Sequence, residues 1–137
     1  MEIFLPVMLL MFHTIIIYFL MGYRRYLAVT KKGASVDYYK LYVGEETEDC
    51  RVVARHVINL LEAPVLFYLG AMIAFVTGVA GTGIITLAWV YVLLRLLHSA
   101  VHLGANVVIW RFRIFVFSMM VLTAFLFTIA YRLFLTG

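Results

Sequence analysis

The sequence predicts an all-α fold, a bundle of four membrane-spanning helices forming one domain over residues 1–137. Three observations carry that expectation. Of the 137 residues 66% are hydrophobic and 13% are charged, against about 45–50% and about 25% in soluble domains. Four apolar stretches each reach the roughly 20 residues that cross a hydrocarbon core of about 30 Å. In lipid a backbone must satisfy its own hydrogen bonds, so these stretches are helices rather than open strands.

The first helix is expected over about residues 3–22. It does not read as a cleaved leader: Glu2 stands where a basic segment belongs, and no small-residue cleavage site precedes Tyr23. A polar loop follows over about residues 23–52. It opens on Arg24, Arg25, Lys31 and Lys32 and closes on Glu45, Glu46, Glu48 and Asp49. Those acids precede the second helix, where they complement the positive end of its dipole. The loop's tyrosines suit an interfacial belt. Cys50, the single cysteine, excludes an intrachain disulfide and is expected to be a partly exposed, incidental thiol.

The second helix is expected over about residues 53–78, the third over about 84–108 and the fourth over about 114–135. Lys and Arg crowd the first loop, Arg111 and Arg113 occupy the third connection, and the second connection carries neither. The positive-inside rule therefore places the first and third connections in the cytoplasm and both termini outside. The net charge of +4 follows these membrane flanks, so nucleic acid is not an expected partner; lipids and lipophilic small molecules are.

The informative residues are those a bilayer rejects. On the second helix Arg55, Asn59 and Glu62 fall within about 60° of one another, and on the third Arg95, His98, His102 and Asn106 share a stripe about 80° wide. A charge at a helix centre costs roughly 2.5–3.5 kcal/mol even on the most lenient scale. Both faces are therefore expected to turn inward and meet, with Glu62 close enough to Arg95 to compensate its charge. His98 and His102 have the spacing of metal ligands on one helix face, but no third ligand is evident and Arg95 would repel a cation; no metal is expected. His13 and His56 read as ordinary interface or packing histidines. Pro64 frees a backbone carbonyl about one turn earlier and is expected to bend the second helix.

These residues resemble the MAPEG family, the membrane-associated proteins in eicosanoid and glutathione metabolism. The resemblance rests on Arg55-x-x-x-Asn59-x-x-Glu62 with Pro64 and Phe67, and on Arg95-x-x-His98-x-x-x-His102 with Asn106 and Arg111. The stretch NLLEAPVLFY is similar to bacterial members, which implies a bacterial cytoplasmic membrane. The resemblance further implies a homotrimer whose active sites lie between subunits. Glutathione is the implied co-substrate, and the activity is a transferase or peroxidase acting on lipophilic electrophiles. Carried over by position, Arg55, Asn59, Glu62, Arg95 and His98 would hold glutathione. Arg111 or Arg113 would stabilise its thiolate. His102 stands where glutathione-using members often carry a tyrosine, and is assigned to the catalytic set. Two rival readings remain open: a non-catalytic lipid-binding or scaffold protein of the same fold, and a transport subunit whose polar stripe relays protons or ions.

Overall fold

The computed structural model describes residues 1–135. The chain runs through α1 (Phe4–Lys32), α2 (Val36–Leu41), α3 (Glu48–Val76), α4 (Thr82–Leu103) and α5 (Val108–Leu135). Among the described residues four helices, α1, α3, α4 and α5, are long and apolar enough to cross a membrane.

Four helix ends differ from the sequence expectation by five residues or more: the end of α1, the start of α3, the end of α4 and the start of α5. The expected loop over residues 23–52 is largely helical. α1 continues to Lys32 because no proline or glycine interrupts residues 23–32, and it stops at Gly33, whose φ of 67° is left-handed. The Ala34 N–H then returns to the Ala28 carbonyl at 3.0 Å, with Lys31 and Lys32 in the last turn. α3 begins at Glu48, with Glu48 and Asp49 in its first turn, where their charge meets the helix dipole. α4 ends at Leu103, so Asn106 lies in the α4–α5 turn rather than on the α4 stripe, and Arg111 and Arg113 belong to the start of α5.

The short α2 is capped by the Ser35 hydroxyl, which accepts the Asp37 N–H at 3.1 Å. Ion pairs tie this polar end together: Arg25 with Glu46 at 3.0 Å, Lys40 with Asp37 at 3.0 Å, and Lys32 with Asp49. Cys50 is buried, not partly exposed, because its position in the first turn of α3 faces the bundle.

α3 and α4 each pack against both α1 and α5, and α4 against α5 is the most extensive pairing. The core runs through Leu10 and Ile17 of α1, Val53, Leu60 and Phe67 of α3, Tyr91 of α4 and Phe125 of α5. Phe67 is its hub, with ring centroids 4.9 Å from Tyr91 and 5.4 Å from Phe125. Lipid removes the hydrophobic drive between helices, so close packing at small residues has to hold them. Ala71, Ala74 and Ala88 are buried in these contacts. Gly70 makes the tightest approach: a Cβ there would stand 2.7 Å from Leu126 Cδ2 and 2.9 Å from Phe125 Cε1. Phe12, Ile16 and Phe19 of α1 and Phe117, Met120 and Phe127 of α5 point outward, an apolar surface suited to lipid.

Gly70→Val is expected to overpack the α3–α5 contact and destabilise the fold by about 1–3 kcal/mol. Unfolding of the purified protein in detergent would read that loss; unchanged stability would contradict the packing described.

Candidate functional site

The α4 stripe faces inward, as its periodicity predicts. Ile84, Ala88, Tyr91, Arg95, His98 and His102 are all buried. Arg95 is wholly sealed and donates from Nη2 to the Asn59 carbonyl at 2.7 Å. Its guanidinium also lies 5.9 Å from the Phe115 ring centroid. Its Nε and Nη1 have no partner within the chain.

The α3 polar face does not turn inward with it. Arg55 and Glu62 are exposed and Asn59 stands at the edge of that face. Among the described residues no ion pair joins Glu62 to Arg95, so the expected charge compensation is absent. The reason is the rotation of α3. Val53, Leu60, Phe67, Ala71 and Ala74 form its buried stripe. Glu62 stands about 200° from Leu60 around the helix. Burying a full apolar stripe outweighs one ion pair.

His56 lies on the buried stripe of α3 and meets α4 and α1 through one hydroxyl. His56 Nε2 is 2.6 Å and His13 Nε2 is 2.8 Å from Ser99 Oγ. A serine carries one proton, so it donates to one ring and accepts from the other. The His56 ring centroid is 4.9 Å from that of His102 and 5.9 Å from that of His98. All four histidines of the chain therefore join one polar centre. His13 and His56 are interface histidines, and Ser99, which sequence reasoning passed over, links them. Its one signal is its place beside His98 on the inward stripe. Among the described residues no group of three or more His, Cys, Asp or Glu is arranged to hold a metal ion.

Arg111, three residues into α5, folds back onto α4. Its Nη1 donates to Asn106 Oδ1 at 2.9 Å and approaches His102 Nε2 at 3.4 Å. Arginine accepts nothing, so His102 Nε2 is the acceptor there. The Arg111 carbonyl accepts from His98 Nδ1 at 3.2 Å. Beside this knot lies a cavity of about 210 Å³ lined by Asn59, His98, Val108, Arg111, Phe112 and Phe115. Asn59, His98 and Arg111 are thus brought to one cavity, and Arg95 sits behind its wall. Arg113 is exposed, with its guanidinium 5.3 Å from the Trp110 ring centroid, and does not line the cavity.

Electrostatically the centre is one-sided. Arg25, Lys32 and Lys40 each pair with a carboxylate, whereas among the described residues Arg95 and Arg111 are held by neutral acceptors alone. Two uncompensated guanidinium groups beside a partly apolar cavity suit an anionic guest.

A family model for the MAPEG family matches residues 3–131. No curated protein and no solved structure matches the chain.

Ser99→Ala leaves two imidazole nitrogens in the bundle without their partner. It is expected to destabilise the protein by about 1–3 kcal/mol, whereas Ser99→Thr, which keeps the hydroxyl, is expected to retain most of the stability. Detergent unfolding curves of the two variants would check this.

Proposed function

This chain belongs to the MAPEG family, and from that premise we propose that it is a membrane glutathione-dependent transferase or peroxidase acting on lipophilic electrophiles. The observation that carries the reading is the pair of guanidinium groups, Arg95 and Arg111, that meet no carboxylate where Asn59, His98 and Arg111 line a cavity.

Glutathione brings two carboxylates, an amine and a thiol. Arg111 is the cation that reaches the cavity, so it is the residue for the sulfur. Positive charge beside a thiol favours the thiolate, the reactive form. The S–H proton leaves to water, and the sulfur lone pair forms the new bond to the electrophilic carbon as the leaving group departs with its electrons. His98 does not act as the base in this scheme; its Nδ1–H is committed to the Arg111 carbonyl and steadies the arginine. The lipophilic substrate enters on the side of Val108, Phe112 and Phe115, where α5 presents an apolar rim.

The cavity of about 210 Å³ falls below the roughly 300 Å³ at which ligand pockets begin. Arg55 and Glu62 also lie exposed on a span-length helix, which lipid does not tolerate cheaply. A second copy of the chain answers both facts. In the proposed homotrimer the Arg55–Glu62 face of α3 meets a neighbouring subunit and completes the pocket, with Arg55, Asn59 and Glu62 on the peptide part of glutathione. The orientation proposed keeps both termini outside and the Arg111 end toward the cytoplasm.

A second reading, a lipid-binding or scaffold protein of the same fold, draws support from one observation. His102 is buried and its Nε2 is already taken by Arg111, so it does not offer the sulfur the hydrogen bond of the tyrosine it replaces.

Calorimetry of the detergent-solubilised protein with glutathione tests the first reading. Binding is expected, weakened by Asn59→Ala and Glu62→Ala. Arg111→Ala is expected to lower kcat/KM with glutathione and an aryl halide by about 100-fold, the scale of losing one charge-stabilising donor. No glutathione binding, with both α3 variants silent, would overturn it in favour of the lipid reading.

A further inference from the structure

We infer that Asn106 is a positioning residue: it holds the Arg111 guanidinium at the cavity while leaving its positive charge intact. The chemical consequence rests on the glutathione reading above; the positioning itself does not.

α4 closes at Gly104, where a Cβ would stand 2.8 Å from the Ala100 carbonyl oxygen. Two residues later Asn106 adopts φ of 49°, in the left-handed region, and its N–H bonds the Val101 carbonyl at 2.8 Å. α5 then starts, with the Arg111 N–H on the Val107 carbonyl at 3.0 Å. Only two residues other than glycine have positive φ among those described, Tyr42 and Asn106. Glycine takes that conformation at no steric cost, and asparagine tolerates it. The backbone of the turn alone would be served better by glycine. What glycine lacks is the amide, and here the amide oxygen accepts from Arg111 Nη1 at 2.9 Å. The side chain at position 106 serves the arginine, not the turn.

Aspartate has the same shape, also tolerates the left-handed region, and would bind a guanidinium more strongly. It would also cancel the charge the cavity needs. Every described contact on Arg111 spares that charge: the Asn106 amide oxygen, His102 Nε2, and the His98 Nδ1–H on its carbonyl. The cations at the other end of the chain show the contrast. Arg25, Lys32 and Lys40 are paired with carboxylates, and the cavity that Lys32 lines is also lined by its acid, Asp49. The Arg111 guanidinium is therefore held at Nη1 by two neutral acceptors and presented as a full positive charge.

Asn106→Gly and Asn106→Asp separate the two claims, since both replacements accept the backbone conformation. In the ligand-free protein with ¹⁵N-labelled arginine, the Arg111 side-chain resonance is identified by its loss in Arg111→Lys. Restricted guanidinium rotation is expected in the wild type and in Asn106→Asp, and averaging to a mobile signal in Asn106→Gly. An equally restricted signal in Asn106→Gly overturns the positioning role, whatever glutathione does. The ultraviolet absorbance of bound thiolate, followed against pH, then reads the charge. In Asn106→Asp the bound thiol is expected to titrate about one unit higher or more, a tenfold loss of thiolate near neutral pH. An unchanged profile overturns the claim that neutrality at position 106 matters. If the wild type binds no glutathione, the functional reading falls, and the arginine resonances still decide whether Asn106 holds Arg111.

Discussion

The Arg95 guanidinium, closed off inside a helix of membrane-spanning length, is the constraint around which the rest of the bundle is arranged. A charge at such depth costs roughly 2.5–3.5 kcal/mol even on lenient scales, and this one meets no acid among the described residues. What it meets is the Asn59 carbonyl of α3. That carbonyl lies one residue before the carbonyl of Leu60, which loses its helical donor because Pro64 has no N–H. The proline thus makes α3 electron-rich at the height where α4 brings its cation. The α3–α4 pairing is set by this polar contact as much as by Phe67 against Tyr91.

Around that contact the chain has gathered groups that only a sealed interior can use. Ser99 serves two histidines on two other helices, so α1, α3 and α4 meet at one hydroxyl. Several nitrogens of this centre are buried without a partner: Arg95 Nε and Nη1, His56 Nδ1, His98 Nε2 and His102 Nδ1. Each such group costs about 1–3 kcal/mol if left dry. A bundle that retains them trades stability for a polar interior, and that exchange is typical of a binding site.

The α4 half of the site was legible in the sequence. Arg95, His98 and His102 recur at helical spacing along an otherwise apolar run, and the structure buries all three. The α3 half was misread because its polar residues were assumed to seek the interior. The apolar residues are more numerous, and Val53, Leu60, Phe67 and Ala74 at heptad spacing decide the rotation. The same spacing, weighed first, turns Glu62 outward. The end of α1 reads short in the sequence because Arg24, Arg25, Lys31 and Lys32 have the look of loop residues. Charge marks the edge of a bilayer, not the end of a helix, and α1 runs on until Gly33. Ser99 between two histidines and Asn106 against Arg111 were not legible, because each depends on how separate helices or a turn bring residues together in space.

The outward placement of Glu62 alters the meaning of the charged residues as a set. Inside one chain the bundle holds guanidinium groups without acids; on its outer α3 face it carries Arg55 and Glu62 with no partner in any described ion pair. Had Glu62 neutralised Arg95, the cavity beside Asn59 would keep the Arg111 charge alone to favour an anion. Because the acid is displaced to the surface, the interior stays cationic and the exterior becomes unsuited to bare lipid. The two consequences are coupled. The rotation of α3 that leaves Arg95 without an acid also turns Arg55 and Glu62 outward, and those are the charges that a neighbouring chain would cover in the homotrimer proposed above.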